Sequence, residues 1–120
     1  MDNKAKAIEF LELIIKGEID EAFEGFVNYS GKHHNTYFKA GFESLKYAMK
    51  QNHSIFPDKQ FEIKLATAEG ELVSILAKLA FENKAFIASY YFKFEENKIL
   101  EMWDIVQEIP QNIINNDGPL

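Results

Sequence analysis

Cysteine and arginine are both absent from this sequence of 120 residues. The first absence excludes disulfides, thiolate nucleophiles and cysteine-ligated zinc, and it fits a reducing interior. The second removes the planar side chain that most often clamps phosphate or carboxylate in bidentate fashion. All 13 cationic side chains are therefore lysine, set against 19 acids for a net charge of −6. No basic cluster interrupts that balance, which argues against nucleic acid or anionic lipid as a partner. No stretch approaches the roughly 20 apolar residues that cross a bilayer. The N-terminus leads into an amphipathic segment carrying Glu9 and Glu12 where a signal peptide would have an unbroken apolar run. These features predict a soluble, cytoplasmic protein with no membrane or nucleic-acid partner.

What is present is apolar bulk. With 47% hydrophobic and 27% charged residues the composition is that of an ordinary globular chain, and its length suits a single domain over residues 1–120 that buries about two-thirds of its unfolded surface. Eleven Phe, five Tyr and one Trp are many for this size; rings in such number suit a thick core or an aromatic-lined cavity.

The period changes along the chain. Ala7, Ile8, Leu11, Ile14 and Ile15 fall at helical spacing, with Asp2 or Asn3 to cap the start and Gly17 to end it. A second helix starts near Ile19 or Asp20, and its apolar side is Ala22, Phe23, Phe26 and Val27. Residues 28–40 read as a loop followed by a brief extended piece. Phe42, Leu45, Ala48 and Met49 then return to helical spacing, ending near Asn52 or His53 ahead of Pro57. From Gln60 onward four strand-like runs, 60–68, 71–81, 84–94 and 98–109, are divided by the turn signals Glu69-Gly70, Glu82-Asn83 and Glu96-Asn97. Short turns between long strands imply an antiparallel meander, and helices followed by such a sheet make an α+β fold with the helices on one face of a curved sheet.

The last run carries the chemistry. Strand alternation places Leu100, Met102, Asp104 and Val106 on one face, and Ile99, Glu101, Trp103, Ile105 and Gln107 on the other. An Asp between Met102 and Val106 is poorly placed for solvent, so it either pairs internally or lines a cavity.

Lys98-Ile99-Leu100-Glu101-Met102-Trp103-Asp104-Ile105-Val106-Gln107, in this order of elements, resembles the closing motif of the SnoaL-like, or polyketide cyclase-like, branch of the nuclear transport factor 2-like (NTF2-like) superfamily. His33-His34-Asn35-Thr36 and Ala68-Glu69-Gly70-Glu71-Leu72-Val73 resemble two further family segments in the same order, so that the likeness covers nearly the whole chain. The resemblance implies a cone whose mouth opens between helices and concave sheet, an apolar pocket for a small, partly hydrophobic molecule, and a homodimer formed through the outer face of the sheet. It departs from the family at several polar positions: Tyr90 stands where the family usually has an acid/base Asp, Met102 where it has a His before Trp-Asp, and Leu76 and Lys78 where it has two alternating His. His34, Asn35 and Asp104 remain.

Two roles fit Asp104. Desolvation would raise its pKa toward that of a general base beside a carbonyl; alternatively it accepts hydrogen bonds that hold its strand. His34 suits acid, base or oxyanion-donor work and equally a capped turn. The candidate site is thus Asp104 and His34 as catalytic groups, with Asn35, Tyr90, Met102, Tyr37 and Leu76 as substrate-binding groups. His33 and His53 read as surface residues, and Trp103, on the face opposite Asp104, as a packing or dimer residue. Three histidines without ligand spacing predict no metal site, and no cofactor is implied. Three readings stand: a cofactor-independent isomerase, cyclase or aldol-type enzyme; a binding module that has lost the chemistry; and a dimeric interaction protein whose cavity is filled by Phe side chains.

Overall fold

The computed structural model describes residues 1–120. The elements run α1 (Asn3–Lys16), α2 (Ile19–Phe26), β1 (Val27–His33), α3 (Phe42–Ile55), β2 (Gln60–Glu69), β3 (Leu72–Phe81), β4 (Lys84–Glu95) and β5 (Lys98–Glu108). The α1 boundaries follow from its caps. The Asp2 carboxylate accepts the Ala5 amide at 2.8 Å, and Gly17 closes the helix in the left-handed region at φ 90. The β4–β5 hairpin turns on Glu96 and Asn97, both at positive φ, the backbone that a two-residue turn needs to match the twist of its strands.

The five strands order as β1-β5-β4-β3-β2. The last four form the expected antiparallel meander, while β1 adds to the edge parallel to β5. Residues 28–40 therefore differ from the sequence reading, because the extended piece comes first and the loop after it. Gly31 lies in the part read as a loop, yet it sits in β1 and serves close packing. A Cβ on Gly31 would lie 1.9 Å from the Leu100 carbonyl oxygen, so only glycine lets β1 pass β5 at that point.

Leu100 is itself where β5 departs from simple alternation. Phe94 pairs with Ile99 while Lys93 pairs with Glu101, so Leu100 is the extra residue of a β-bulge. The phase of side chains changes there, and Ile99 joins Met102 in the core, both essentially unexposed; the expectation that Ile99 shares the outer face with Trp103 is corrected by this bulge. Beyond it, Met102 and Asp104 face inward as alternation predicts.

The core lies between the concave face of the sheet and the helices. Val73, Ile75 and Ala77 of β3 and Ala88, Tyr90, Phe92 and Phe94 of β4 pack against Phe10 and Leu11 of α1, Phe23 of α2, and Phe42 and Leu45 of α3. Phe10 meets Phe23 and Phe92 edge to face at 5.5 and 5.9 Å, the arrangement that ring quadrupoles favour. Burying each such ring contributes about 1.5–3 kcal/mol. No helix is long and apolar enough to cross a membrane.

Candidate functional site

Between α1, α3, the loop after β1 and the inner face of the sheet lies a cavity of about 560 Å³, within the range that holds small organic ligands. Its walls are mostly apolar: Ile14 and Ile15 of α1, Ala48 and Met49 of α3, Leu79, Phe81 and Phe86 of the sheet. Phe side chains thus line the space and leave it open, and the reading of a cavity filled by Phe is corrected.

Asp104 and Tyr90 form the polar part of the sheet wall. They are direct partners across β4 and β5 and share the inner face, which sets their Cβ atoms about 4.5–5.5 Å apart. Asp104 Oδ2 accepts the Asn35 side-chain amide at 2.8 Å. Asp104 Oδ1 is buried and has no hydrogen-bond partner within the protein. Desolvation raises the Asp104 pKa above its usual 3.8 and outweighs the lowering by the Asn35 hydrogen bond. Burial, with a smaller contribution from the Asp104 charge, also raises the Tyr90 phenol, which stays protonated as a donor.

Asn35 is held by its own loop. Its backbone N–H donates to His33 Nδ1 at 3.2 Å, and His33 Nε2 lies 2.7 Å from the Lys39 carbonyl. A carbonyl only accepts and an amide N–H only donates, so the ring is fixed with its proton on Nε2. His33 is buried at 7% exposure; the expectation of a surface residue is corrected, because parallel pairing of His33 with Met102 turns the ring inward. The Asn35 side-chain carbonyl accepts the Tyr37 amide at 2.8 Å, which fixes both ends of the side-chain amide and aims its NH2 at Asp104.

His34 is placed differently. It borders the cavity, but its Nε2 is held by Glu101 at 2.6 Å and its ring stacks on Trp103 with centroids 5.1 Å apart. The structure joins Asn35, not His34, to Asp104 by a hydrogen bond. Tyr37 stands at the mouth, 86% exposed. Met102 is a core side chain at 1% exposure, and Leu76 lies on the opposite face of the sheet, paired with Ser89 and Leu65. Neither borders the cavity: the strand register sends Met102 under the helices and Leu76 outward.

His53 and Lys59 border the cavity and were not expected there. His53, expected at the surface, is half-buried against Gly17, where a Cβ would meet its Nε2 at 2.2 Å. The spacing Leu45, Met49, His53 held the signal, since steps of four keep one helix face. Lys59 lies in the irregular segment after Pro57, and no periodicity points to it. No group of three or more His, Asp or Glu side chains is placed to hold a metal ion.

No family model matches the sequence, and no curated protein matches it. Solved structures do. An NTF2-like protein of unknown function from Cytophaga hutchinsonii is similar over 89% of this chain and 91% of its own, at 14% identity and a TM-score of 0.73. A SnoaL-like polyketide cyclase from Agrobacterium tumefaciens is similar over 89% and 92%, at 15% identity and 0.73. An uncharacterised cystatin-fold protein from Novosphingobium aromaticivorans is similar over 88% and 98%, at 16% identity and 0.74. Three helices on a curved five-stranded mixed sheet thus make this chain an α+β protein of the NTF2-like fold, in the form it shares with SnoaL-like polyketide cyclases.

Proposed function

We propose that this chain binds a small, partly hydrophobic carbonyl compound in its cavity and moves a proton at the carbon beside the carbonyl, with no cofactor. The observation that carries the reading is Asp104 Oδ1, a buried carboxylate oxygen in an apolar cavity without a partner in the protein. Proton abstraction needs a base and a donor for the oxyanion that forms. Asp104 is the base. The Tyr90 hydroxyl, which makes no hydrogen bond within the protein and faces the same space, is the donor. Asn35 holds the carboxylate in place, and His34, tied to Glu101 and Trp103, fixes the loop that carries Asn35. SnoaL-like polyketide cyclases among the similar structures are consistent with isomerase, cyclase or aldol-type chemistry.

Exchange of acidic carbon-bound protons in a panel of apolar β-diketones and β-keto esters, followed by NMR in heavy water, tests this. The chain accelerates exchange of at least one member, and Asp104→Asn lowers that rate by a hundredfold or more, as the loss of a general base does, while the fold persists. Equal rates in the two proteins remove Asp104 from the mechanism. A second reading, a binding module without turnover, is favoured by Tyr90 standing at the family's acid/base position and by the pairing of His34 with Glu101; binding of these compounds without exchange would establish it.

The outer sheet face carries a row from Leu65 through Leu76 and Ser89 to Ile105, with Leu65 and Ile105 each more than 60% exposed. A row across four strands that is apolar at all but Ser89 is suited to a second copy of itself, and a homodimer is the proposed assembly. Ile105→Lys converts it to monomer in sedimentation; a monomeric parent protein refutes it. The cytoplasmic location read from the sequence is testable by fractionation.

A further inference from the structure

The cavity is polar in two places, and only one of them serves the proton transfer. The other lies where α3 ends. Asn52 and His53 from its last turn and Lys59 just before β2 all border the space. Lys59 Nζ donates to the Phe56 carbonyl at 2.7 Å and rests 5.8 Å from the centre of the Phe81 ring. It makes none of the chain's ion pairs. An ammonium has three donors, so two remain after the helix carbonyl is served. His53 Nδ1 is buried without a hydrogen-bond partner in the protein.

We propose that Lys59, with His53 and Asn52, binds a carboxylate on the ligand, so that the cavity selects an amphipathic carboxylic acid whose apolar body runs toward Asp104. Lys59 is the only lysine bordering the cavity and Asp104 its only acid; the two therefore orient a ligand, the carboxylate at the lysine and the reacting carbon at the aspartate. Register sets the spacing. Tyr90, opposite Asp104, and Ala85, in the row that pairs with Ala80 and Gln60, are five residues apart on β4, roughly 17 Å at the rise of a strand. The lysine stem and the curvature of the sheet shorten that span, and Leu79, Phe81 and Phe86 supply the apolar wall between. A single ammonium without arginine suits one negative charge; a phosphate dianion would leave charge uncompensated in an apolar space. Burial also lowers the Lys59 pKa, as expected for a cation that lacks a counter-charge.

This inference rests on the cavity being a ligand site but not on Asp104 being a base. The test uses decanoate and decan-1-ol as matched probes, with binding to the full chain followed at neutral pH by calorimetry. The parent protein prefers decanoate by about tenfold or more, the size of a charge-assisted hydrogen bond. Lys59→Met, which keeps the stem over Phe81, removes the preference and leaves decan-1-ol binding unchanged; Lys59→Gln does the same and guards against a folding defect in the first variant. Asp104→Asn retains the preference. Equal binding of both probes by the parent protein, or a preference that survives in both Lys59 variants, overturns the carboxylate subsite alone. Binding of neither probe overturns the subsite and the ligand cavity together.

Discussion

Glu101 and Asp104 sit on the same strand, three residues apart, and face opposite sides of the sheet. The Glu101 carboxylate has the His34 imidazole at 2.6 Å and is partly exposed, the arrangement of an ordinary hydrogen-bonded pair. Asp104 keeps one oxygen on Asn35 and leaves the other buried and unpartnered. The same functional group is thus a fastener on one face and a reactive candidate on the other. Environment sets the difference: desolvation raises the inner carboxyl above its usual range, alternation along β5 turns the two acids to opposite faces, and the strand that carries both is seated beside β1 by a backbone device, the Leu100 bulge with the close approach of Gly31.

Breaking that backbone device has the largest effect. Gly31→Ala forces a Cβ into the Leu100 carbonyl and should cost about 3 kcal/mol, read by urea denaturation; a loss within a few tenths would show that β1 and β5 can part without consequence. Tyr90→Phe keeps the ring stacked on Phe92 and removes only the hydroxyl. It lowers the proton-exchange rate by roughly ten- to a hundredfold, less than loss of a whole oxyanion hole, and leaves ligand affinity near that of the parent.

Stability should move the other way at Asp104. Its folded pKa lies above 3.8, so between that value and the folded one the native chain holds a proton that the unfolded chain has released. The contribution of Asp104 to stability therefore falls as pH rises through this window and is unfavourable at neutral pH. Asp104→Asn, whose side-chain oxygen still accepts from Asn35, raises Tm at pH 7 and flattens the dependence on pH above the usual carboxylate range. An unchanged pH profile would mean that the carboxylate is solvated. The smallest effect belongs to the other acid: Glu101→Gln loses less than about 1 kcal/mol, as exposed pairs do, and leaves exchange intact. A large loss of activity in that variant would move His34 from support into the chemistry.

Much of this arrangement was legible in the chain. The Glu82-Asn83 and Glu96-Asn97 turns, the Gly17 stop and the alternation through Met102, Trp103 and Asp104 are local features, and they describe the meander, α1 and the inward acid. Bulges and close approaches are not local. Nothing near Leu100 shows that β1 will pass beside it, so alternation alone gives the wrong phase for Ile99, and the stretch around Gly31 reads as loop because the carbonyl that demands a glycine is 69 residues away. The burial of His33 depends on the pairing of β1 with Met102, a partner that local sequence cannot name, whereas His53 is legible only as the continuation of the Leu45, Met49 stripe and packs on Gly17. The polar equipment of the cavity was half found, Asp104, Asn35 and Tyr90 by alternation and resemblance, while Lys59 arrives from an irregular segment that carries no periodic signal.

The account rests on one carboxyl group being desolvated and open to a ligand. Titration of the Asp104 carboxyl carbon by NMR, assigned by its loss in Asp104→Asn, reads that property directly. The midpoint should lie clearly above 3.8 and move again when a ligand fills the cavity. A midpoint at or below 3.8, indifferent to ligand, would contradict the account.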